Sequence, residues 1–561
     1  MHHNFTSSIQ RTSVLVALGL TAATGLSAAP GLSAAGSAPV TRVVVTSLAG
    51  DVAAAAQAVR TAGGHVLDQL SLIGGVSATL PAGTQLAPSY RVVPDVGLRV
   101  SGKDDRSTAA SASSVRATLG MGAPQSEGSG VTVAVVDTGV AEVGDLAGRV
   151  DHESAIGDLG KDGYGHGTFV AGLVAGSGAA SGGSYAGIAP GARILDVKVA
   201  DAAGATNLIT VLKGLQTLVS HPEVDVVNLS LSSGSPLPYQ VDPLSAALEA
   251  LWRRGVTVVV PAGNDGPQSG TIASPGSDPV LLTAGGLDEN ATARHDDDTV
   301  ASWSGRGPAA QGVAKPDLVA PGTHVVSLAA PGSTVVNANP SSLVDGGYLK
   351  GSGTSFSTAV TSGAVAALLA RRPGLSPNQV KGLLTDTAYD AKGLKDKDAA
   401  GAGGLDVAAA LDGKVKKDKK GSEADVIPGD PAVWAAFLTA LLNGDEAAAA
   451  SSWSQLSPAA RNWAASSWSK LSWDARNWAA RNWAARNWAG ASAEEWAARN
   501  WAARNWAARN WADSDWSASS WSARNWAASS WSARNWAEDD WAARNWAASS
   551  WSARNWAGTW S

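Results

Sequence analysis

The runs Val131–Val136, Arg193–Val199, Val224–Leu231 and Val256–Val260 are largely apolar from end to end. A strand with one face in water alternates polar and apolar residues, whereas runs like these suit strands covered on both faces, as in a parallel sheet. Helical stretches fall between them, at Thr168–Ala175, Leu208–Val219 and Leu244–Arg254. This alternation over 115–411 predicts a three-layer α/β domain around a central, mostly parallel sheet. Functional residues in such sheets lie at the carboxyl ends of strands.

At 561 residues the chain has room for two or three folded units with linkers. The absence of cysteine excludes disulfides, thiolate metal sites and a cysteine nucleophile, so a nucleophile must be a hydroxyl or a metal-bound water. A net charge of −6 without a dominant charged block implies no nucleic acid partner. Residues 1–35 read as an export signal: Arg11, the short apolar stretch Ser13–Leu26, then Ser27-Ala28-Ala29 and Ser33-Ala34-Ala35 as cleavage candidates after Ala29 or Ala35. An uncleaved anchor is the alternative. Residues 39–100 read as a small α+β unit, with the β-branched run Thr41–Thr46, a helix over Asp51–Ala62 and two further strands over Val66–Leu80. The Ser-rich segment 101–114 reads as an exposed linker open to proteolysis, and 412–430 as a second linker.

Three short motifs in the 115–411 block carry chemistry. Asp137-Thr138-Gly139 ends the first apolar run, which puts a carboxylate at a strand tip with a glycine behind it. Gly165-His166-Gly167-Thr168 opens a helix with an imidazole flanked by residues that leave space around it. Gly351-Ser352-Gly353-Thr354-Ser355 places a hydroxyl at the amino end of an apolar helix, where backbone N–H groups suit a developing anion. Singly, each could be a turn former, a capping residue or a core histidine. Together they are far more specific, because each occurs once, at a junction into a helix or loop.

In that order the block resembles the subtilisin-like serine proteases, whose triad runs Asp, His, Ser. Asp137 matches the family's DTG aspartate, His166 its HGT histidine and Ser355 its GTS serine. The resemblance implies that Ser355 attacks a peptide carbonyl, His166 moves its proton and Asp137 orients the imidazole. Pro261-Ala262-Gly263-Asn264 resembles the oxyanion segment, which makes Asn264 a side-chain donor. Ser230, Leu231, Ser232, Ser233 and Gly234 resemble the segment that pairs with an extended peptide substrate. The family usually has glycine where Ser232 and Ser233 stand, and Phe169, Ala359 and Val360 replace its usual His, Pro and His, so pocket specificity does not carry over. No cofactor is implied. Structural calcium lacks a motif, since no Asn-rich loop is present, and Asp296-Asp297-Asp298 reads as a solvated loop. The resemblance recasts 39–100 as an inhibitor-like propeptide that binds its own protease domain. Protein and peptide substrates, a zymogen and secretion are expected with it. An α/β-hydrolase type of lipase or esterase fits less well, because no GxSxG elbow surrounds Ser355 and the triad order differs.

From Trp453 the chain repeats every five residues around the pattern WAARN, and 21 of its 24 Trp lie there. On an α-helix that period advances each Trp by about 140° beyond a full turn, so the indoles wind around every face. Ala and Arg nevertheless favour helix, and 431–561 is read as a short helix, Pro431–Leu442, followed by helical repeats. Trp beside Arg suggests an adhesive surface toward a cell wall, a membrane interface or other copies of the chain. A low-complexity stalk without a ligand is the other reading. At the level of the whole protein, a surface adhesin with an inactive or only self-processing protease block is the alternative to a secreted endopeptidase.

Overall fold

The computed structural model describes residues 40–416, apart from 88, 101–114, 234–236, 238, 310–311 and 345–346, together with 451, 452 and 455. The expected export signal, the linker 101–114, most of the second linker and all but those three residues of 431–561 lie outside the described residues.

Residues 40–94 form a small unit with its own core. Strands β1 (Val40–Ser47), β2 (His65–Leu70), β3 (Gly75–Pro81) and β4 (Tyr90–Pro94) make an antiparallel sheet ordered β2-β3-β1-β4. Helix α1 (Val52–Thr61) starts where the Asp51 carboxylate accepts the Ala54 N–H, and buries Ala55, Ala56 and Val59 against the sheet. The next strand, β5 (Gly97–Val100), leaves this sheet altogether.

The larger block opens on α2 (Val115–Thr118) and is built on a mainly parallel sheet. Its strands begin with β6 (Thr132–Asp137), β7 (Val150–Ser154) and β8 (Arg193–Lys198), with helix α3 (His166–Ala175) between the last two. A short β9 (Ala205–Asn207) leads into α4 (Leu208–Thr217), capped by the Asn207 side chain. Then come β10 (Val224–Leu229), β11 (Leu231–Ser232), α5 (Pro243–Arg253) and β12 (Thr257–Pro261). Strands β13 (Leu282–Asp288), β14 (Thr299–Val300) and β15 (Leu318–Pro321) complete the sheet. The parallel order is β7-β8-β6-β10-β12-β13-β15, with β14 pairing antiparallel to β13. The run read as one strand over 224–231 is two: it breaks at Ser230, and β11 joins a different sheet.

After β16 (Val325–Leu328), α6 (Thr334–Ala338), β17 (Leu343–Val344) and β18 (Tyr348–Gly351), the chain enters α7 (Thr354–Arg371). This helix packs on α3 and across β10, β12, β13 and β15, while α4 and α5 pack together against the sheet as the other helical layer. Every residue of α7 from Thr354 to Leu368 is buried. Two of its hydroxyls are satisfied within the helix, Thr358 and Thr361 donating to the Thr354 and Ser357 carbonyls at 2.8 Å. The α8 helix (Pro377–Asp386) begins with a reciprocal cap between Ser376 and Gln379. The Arg372 bond to the Gly413 carbonyl, 2.7 Å, carries the folded block slightly past residue 411.

The acidic run 296–298 is not the solvated loop its composition predicts. Asp296 pairs with Arg294 and Asp297 accepts from Thr292, but Asp298 is fully buried and accepts the Tyr389 hydroxyl. Three adjacent acids thus face three environments, because Tyr389 packs over this loop and stacks on His295 at 3.6 Å. Among the described residues no group of three or more His, Asp or Glu could hold a metal ion, and no helix is long and apolar enough to cross a membrane.

His152 on β7 lies opposite Asp196 on β8, with Nδ1 and Oδ2 2.9 Å apart. That bond raises the imidazole pKa, outweighing the opposing effect of partial burial. Asp196 is pushed the other way from a paired carboxylate, upward by burial. His152 governs the pH response, because its side chain still meets water while that of Asp196 is sealed. An imidazole held above its free value of about 6.5 stabilises the fold below that pH and loses the contribution as pH rises through the folded value. His152→Gln is therefore expected to lower the melting temperature at about pH 5.5 and to change it little at about pH 9. Thermal melts in a Ser355→Ala background check this, and equal shifts at both pH values would refute the charge pairing.

Candidate active site

Asp137 is the last residue of β6 and is fully buried. Gly139 behind it has φ +104°, and a Cβ there would lie 2.3 Å from the Lys161 carbonyl oxygen, so the turn requires glycine. His166 is the first residue of α3, and its Nδ1 lies 2.8 and 2.9 Å from the two Asp137 carboxylate oxygens. The approach is close because Gly167 presents no side chain: a Cβ there would sit 2.2 Å from the Gly139 oxygen and 3.2 Å from the Asp137 Cβ. With Nδ1 donating to the carboxylate, Nε2 is the nitrogen able to accept a proton. It is buried and has no hydrogen-bond partner.

Ser355 lies in the first turn of α7 and is fully buried. Phe356 beside it packs on the imidazole, ring centroids 5.5 Å apart, and on Phe169 at 4.2 Å. The Ser355 Oγ does not bond to His166 in this state. It donates to the Ser230 carbonyl at 3.2 Å, so the carboxylate–imidazole half of the expected relay is joined and the imidazole–hydroxyl half is open.

Asn264 reaches the same helix start. Its Oδ1 accepts from the Thr354 N–H and from Thr354 Oγ1, both at 2.9 Å, and the Thr354 hydroxyl in turn accepts the Gly263 N–H at 3.2 Å. Fixing the amide oxygen leaves Nδ2 as the donor end turned away from Thr354. A fixed amide donor at a helix amino end can stabilise an oxyanion.

The substrate-segment residues divide. Leu231 and Ser232 pair antiparallel with β5, Leu231 opposite Val100 and Ser232 opposite Arg99. On its other side β5 pairs with β9, Gly97 opposite Asn207 and Leu98 opposite Thr206. The segment 97–100 is therefore the middle strand of a three-stranded sheet, β11-β5-β9, and β11 follows Ser230, whose carbonyl accepts from Ser355 Oγ. The Ser230 side chain faces inward: it accepts from Asn228 Nδ2 at 2.9 Å and donates to the Ser355 carbonyl at 3.1 Å. Ser233 pairs with Ser274 instead of with β5, and Gly234 lies outside the described residues.

One functional neighbour escaped the motif reading. Asp162, four residues before His166, is buried and accepts hydrogen bonds from Thr138, Gly165 and Thr168. Burial pushes its carboxyl above the ordinary range, and these donors pull against that. Nothing in the local pattern distinguished it from Asp158, the other acid of the 158–162 loop.

A parallel sheet with helices on both sides, a buried carboxylate–imidazole pair at its carboxyl edge and a serine at a helix head define a serine protease of the subtilisin-like fold. A sequence model described as the Subtilase family matches residues 128–403. The chain is 41% identical over 302 residues to the serine protease AprX of Bacillus subtilis (strain 168), covering 51% of this chain and 67% of AprX. It is 34% identical over 262 residues to subtilisin Savinase of Lederbergia lenta, covering 46% of this chain and 84% of that one. In fold it resembles the crystal structure of fervidolysin from Fervidobacterium pennivorans, with a TM-score of 0.53 and 24% identity, over 68% of this chain and 62% of that one. The chain belongs to the subtilase family of serine proteases.

Asn264→Ala is expected to lower kcat by about 10²–10³, the size already known for a side-chain oxyanion donor in subtilisin itself. Thr354→Val, which removes one of the two bonds that orient that amide along with the acceptor of the Gly263 N–H, should lower kcat by about fivefold to tenfold, equivalent to about 1 kcal/mol for a neutral hydrogen bond. Steady-state hydrolysis of a chromogenic peptide checks both, and a Thr354→Val loss confined to KM would refute the orienting bond.

Proposed function

We propose that this chain is the precursor of an exported serine endopeptidase, with Asp137, His166 and Ser355 as its triad and Asn264 in its oxyanion hole. The observation that carries the reading is the buried Asp137–His166 pair, with Nε2 left unpartnered at the head of the serine-bearing helix. In the reaction Ser355 Oγ turns from the Ser230 carbonyl toward Nε2. Such contacts are commonly long in enzymes without substrate and tighten when it binds. His166 takes the hydroxyl proton as Oγ bonds to the scissile carbonyl carbon, and Asp137 stabilises the imidazolium. The carbonyl oxygen becomes an oxyanion held by Asn264 Nδ2 and the Ser355 backbone N–H. Collapse breaks the C–N bond, and the amine leaves with the proton from His166. Water, deprotonated by the same imidazole, then hydrolyses the acyl-enzyme and restores Ser355.

Residues 39–100 act as an inhibitor of the block that follows. Supporting this, β5 occupies the place between β11 and β9 where an extended substrate would add a strand. The small unit also grips the catalytic block through Gln216, which bonds to the Leu72 N–H and to Ser71, and through Asp95, which accepts the Ile209 N–H at 3.0 Å. Arg116, buried in the catalytic block and bonded to Glu127 and to the Gly187 carbonyl, marks where the mature domain must already have begun. Maturation therefore cuts within 101–114. The Trp-rich repeat localises the enzyme or joins it to other copies.

A labelled fluorophosphonate should modify the processed protein and fail to modify Ser355→Ala. The Ser355→Ala chain should also accumulate uncut, while the wild type yields a new amino terminus within 101–114 on sequencing. Absence of labelling after removal of residues 1–114 would defeat the enzymatic mechanism. Addition of a separately made 40–100 fragment should inhibit the processed enzyme, and Leu98→Asp in that fragment should weaken inhibition by about tenfold or more, because Leu98 is buried in this interface.

A further inference from the structure

We propose that Asp162 is a positioning residue for catalysis, a carboxylate that locks the turn bearing Asp137 to the helix bearing His166. The proposal rests on the reading of His166 as the proton carrier. Two segments far apart in sequence must be held so that Nδ1 meets both oxygens of Asp137. The Asp162 carboxylate lies between them and bonds to both. Its Oδ1 accepts from Thr138 Oγ1 at 2.8 Å and from the Gly165 N–H at 2.6 Å. Its Oδ2 accepts from the Thr168 N–H at 2.8 Å and from Thr168 Oγ1 at 2.7 Å.

The two threonines extend the lock. Thr138 Oγ1 accepts the Gly167 N–H at 2.9 Å while donating to Asp162, and Thr168 Oγ1 accepts the Ala141 N–H at 2.9 Å while donating to Asp162. Helix α3 starts from a glycine with no side chain to cap it. The N–H groups of its second and third residues, orphaned in any helix, are taken up here by Thr138 and Asp162. The start of α3, and with it the imidazole, is thus fixed in rotation and along its axis by side chains tied to the Asp137 turn. Asp162, Thr138 and Thr168 are all buried, so water offers no substitute. All four partners of Asp162 are donors, which only a carboxylate can accept. An asparagine of the same size would turn an NH2 toward two of them.

A misplacement of reacting groups by about 1 Å can cost about 10²-fold in rate. The test measures kcat and KM for a chromogenic peptide in the processed enzyme, counting active sites by fluorophosphonate labelling. In Asp162→Asn, kcat per labelled site should fall about 10- to 100-fold with KM within about twofold. Thr138→Val should fall less, and the double variant should be within about threefold of Asp162→Asn, because both changes cut the same lock. Should Asp162→Asn fail to fold, Thr138→Val and Thr168→Val answer the same question. A purely structural cap would reduce the number of labelled sites and leave kcat per site intact, and that result would overturn the proposal alone. A parent enzyme that takes no label would overturn the underlying mechanism and this proposal with it.

Discussion

Helix α7 runs through the interior with no residue from Thr354 to Leu368 left for water, and that constraint determines where Ser355 can be. On a buried helix rich in Ser and Thr, a hydroxyl without an acceptor is costly. Thr358 and Thr361 find theirs one turn back on the same helix. Ser362 instead reaches out to Asn228 Oδ1 at 2.9 Å, and Asn228 Nδ2 passes the connection to Ser230, which returns to the Ser355 carbonyl. The loop of bonds closes between α7 and the end of β10. It fixes the register of the helix against the sheet, and a slide by one residue would leave several of these groups unpaired in a dry core. Ser355 is held at the sheet's carboxyl edge by bonds that its own hydroxyl does not make.

The same edge gives the proposed inhibition by the amino-terminal unit its physical basis. In that proposal a substrate would add to β11 as an extended strand, and main-chain hydrogen bonding does not distinguish substrate from the protein's own segment. The strand β5 satisfies both β11 and β9, and neighbouring contacts from Asp95, Leu72 and Ser71 hold it there. These lie on the small sheet's side of the junction, so β5 and its anchor are separate features. In the proposed maturation, a cut beyond Val100 would free the new end without at once dissolving the anchor.

Much of the architecture was readable in the sequence, because buried parallel strands and their helices leave long apolar runs. Val131–Val136 became β6 almost residue for residue, and the three motif residues lie at the strand end and helix starts where their glycines placed them. The reading failed where tertiary context overrides local pattern. Val224–Leu231 looks like one strand, yet Ser230 breaks it, since that side chain is drawn inward toward Asn228 and Ser355. Residues 97–100 carry the same signal as the strands of the small unit, and only the neighbouring β9 and β11 decide which sheet they join. Asp298 resembles Asp296 and Asp297 in local sequence until Tyr389, some ninety residues later, covers it. Asp162 was missed for a related reason: its role lies in four donors contributed by three other residues, and no spacing rule encodes that.

The chemistry of the site is therefore set at one remove from the reacting atoms. Asp137 needs Thr138 and Asp162 behind it, Asn264 needs Thr354, and Ser355 needs the Asn228–Ser230 bridge. Each supporting group is sealed from solvent or nearly so, where a hydrogen bond is directional and costly to break. A site built from rigid donors and acceptors does not reorganise as charge moves from hydroxyl to oxyanion and from imidazole to imidazolium, and that lack of reorganisation is the main electrostatic advantage an enzyme has over water. In the proposed reaction the Ser355 hydroxyl has two acceptors, the Ser230 carbonyl at rest and the imidazole in the attack. The moving part of the reaction is thereby reduced to a single torsion on an otherwise immobile frame.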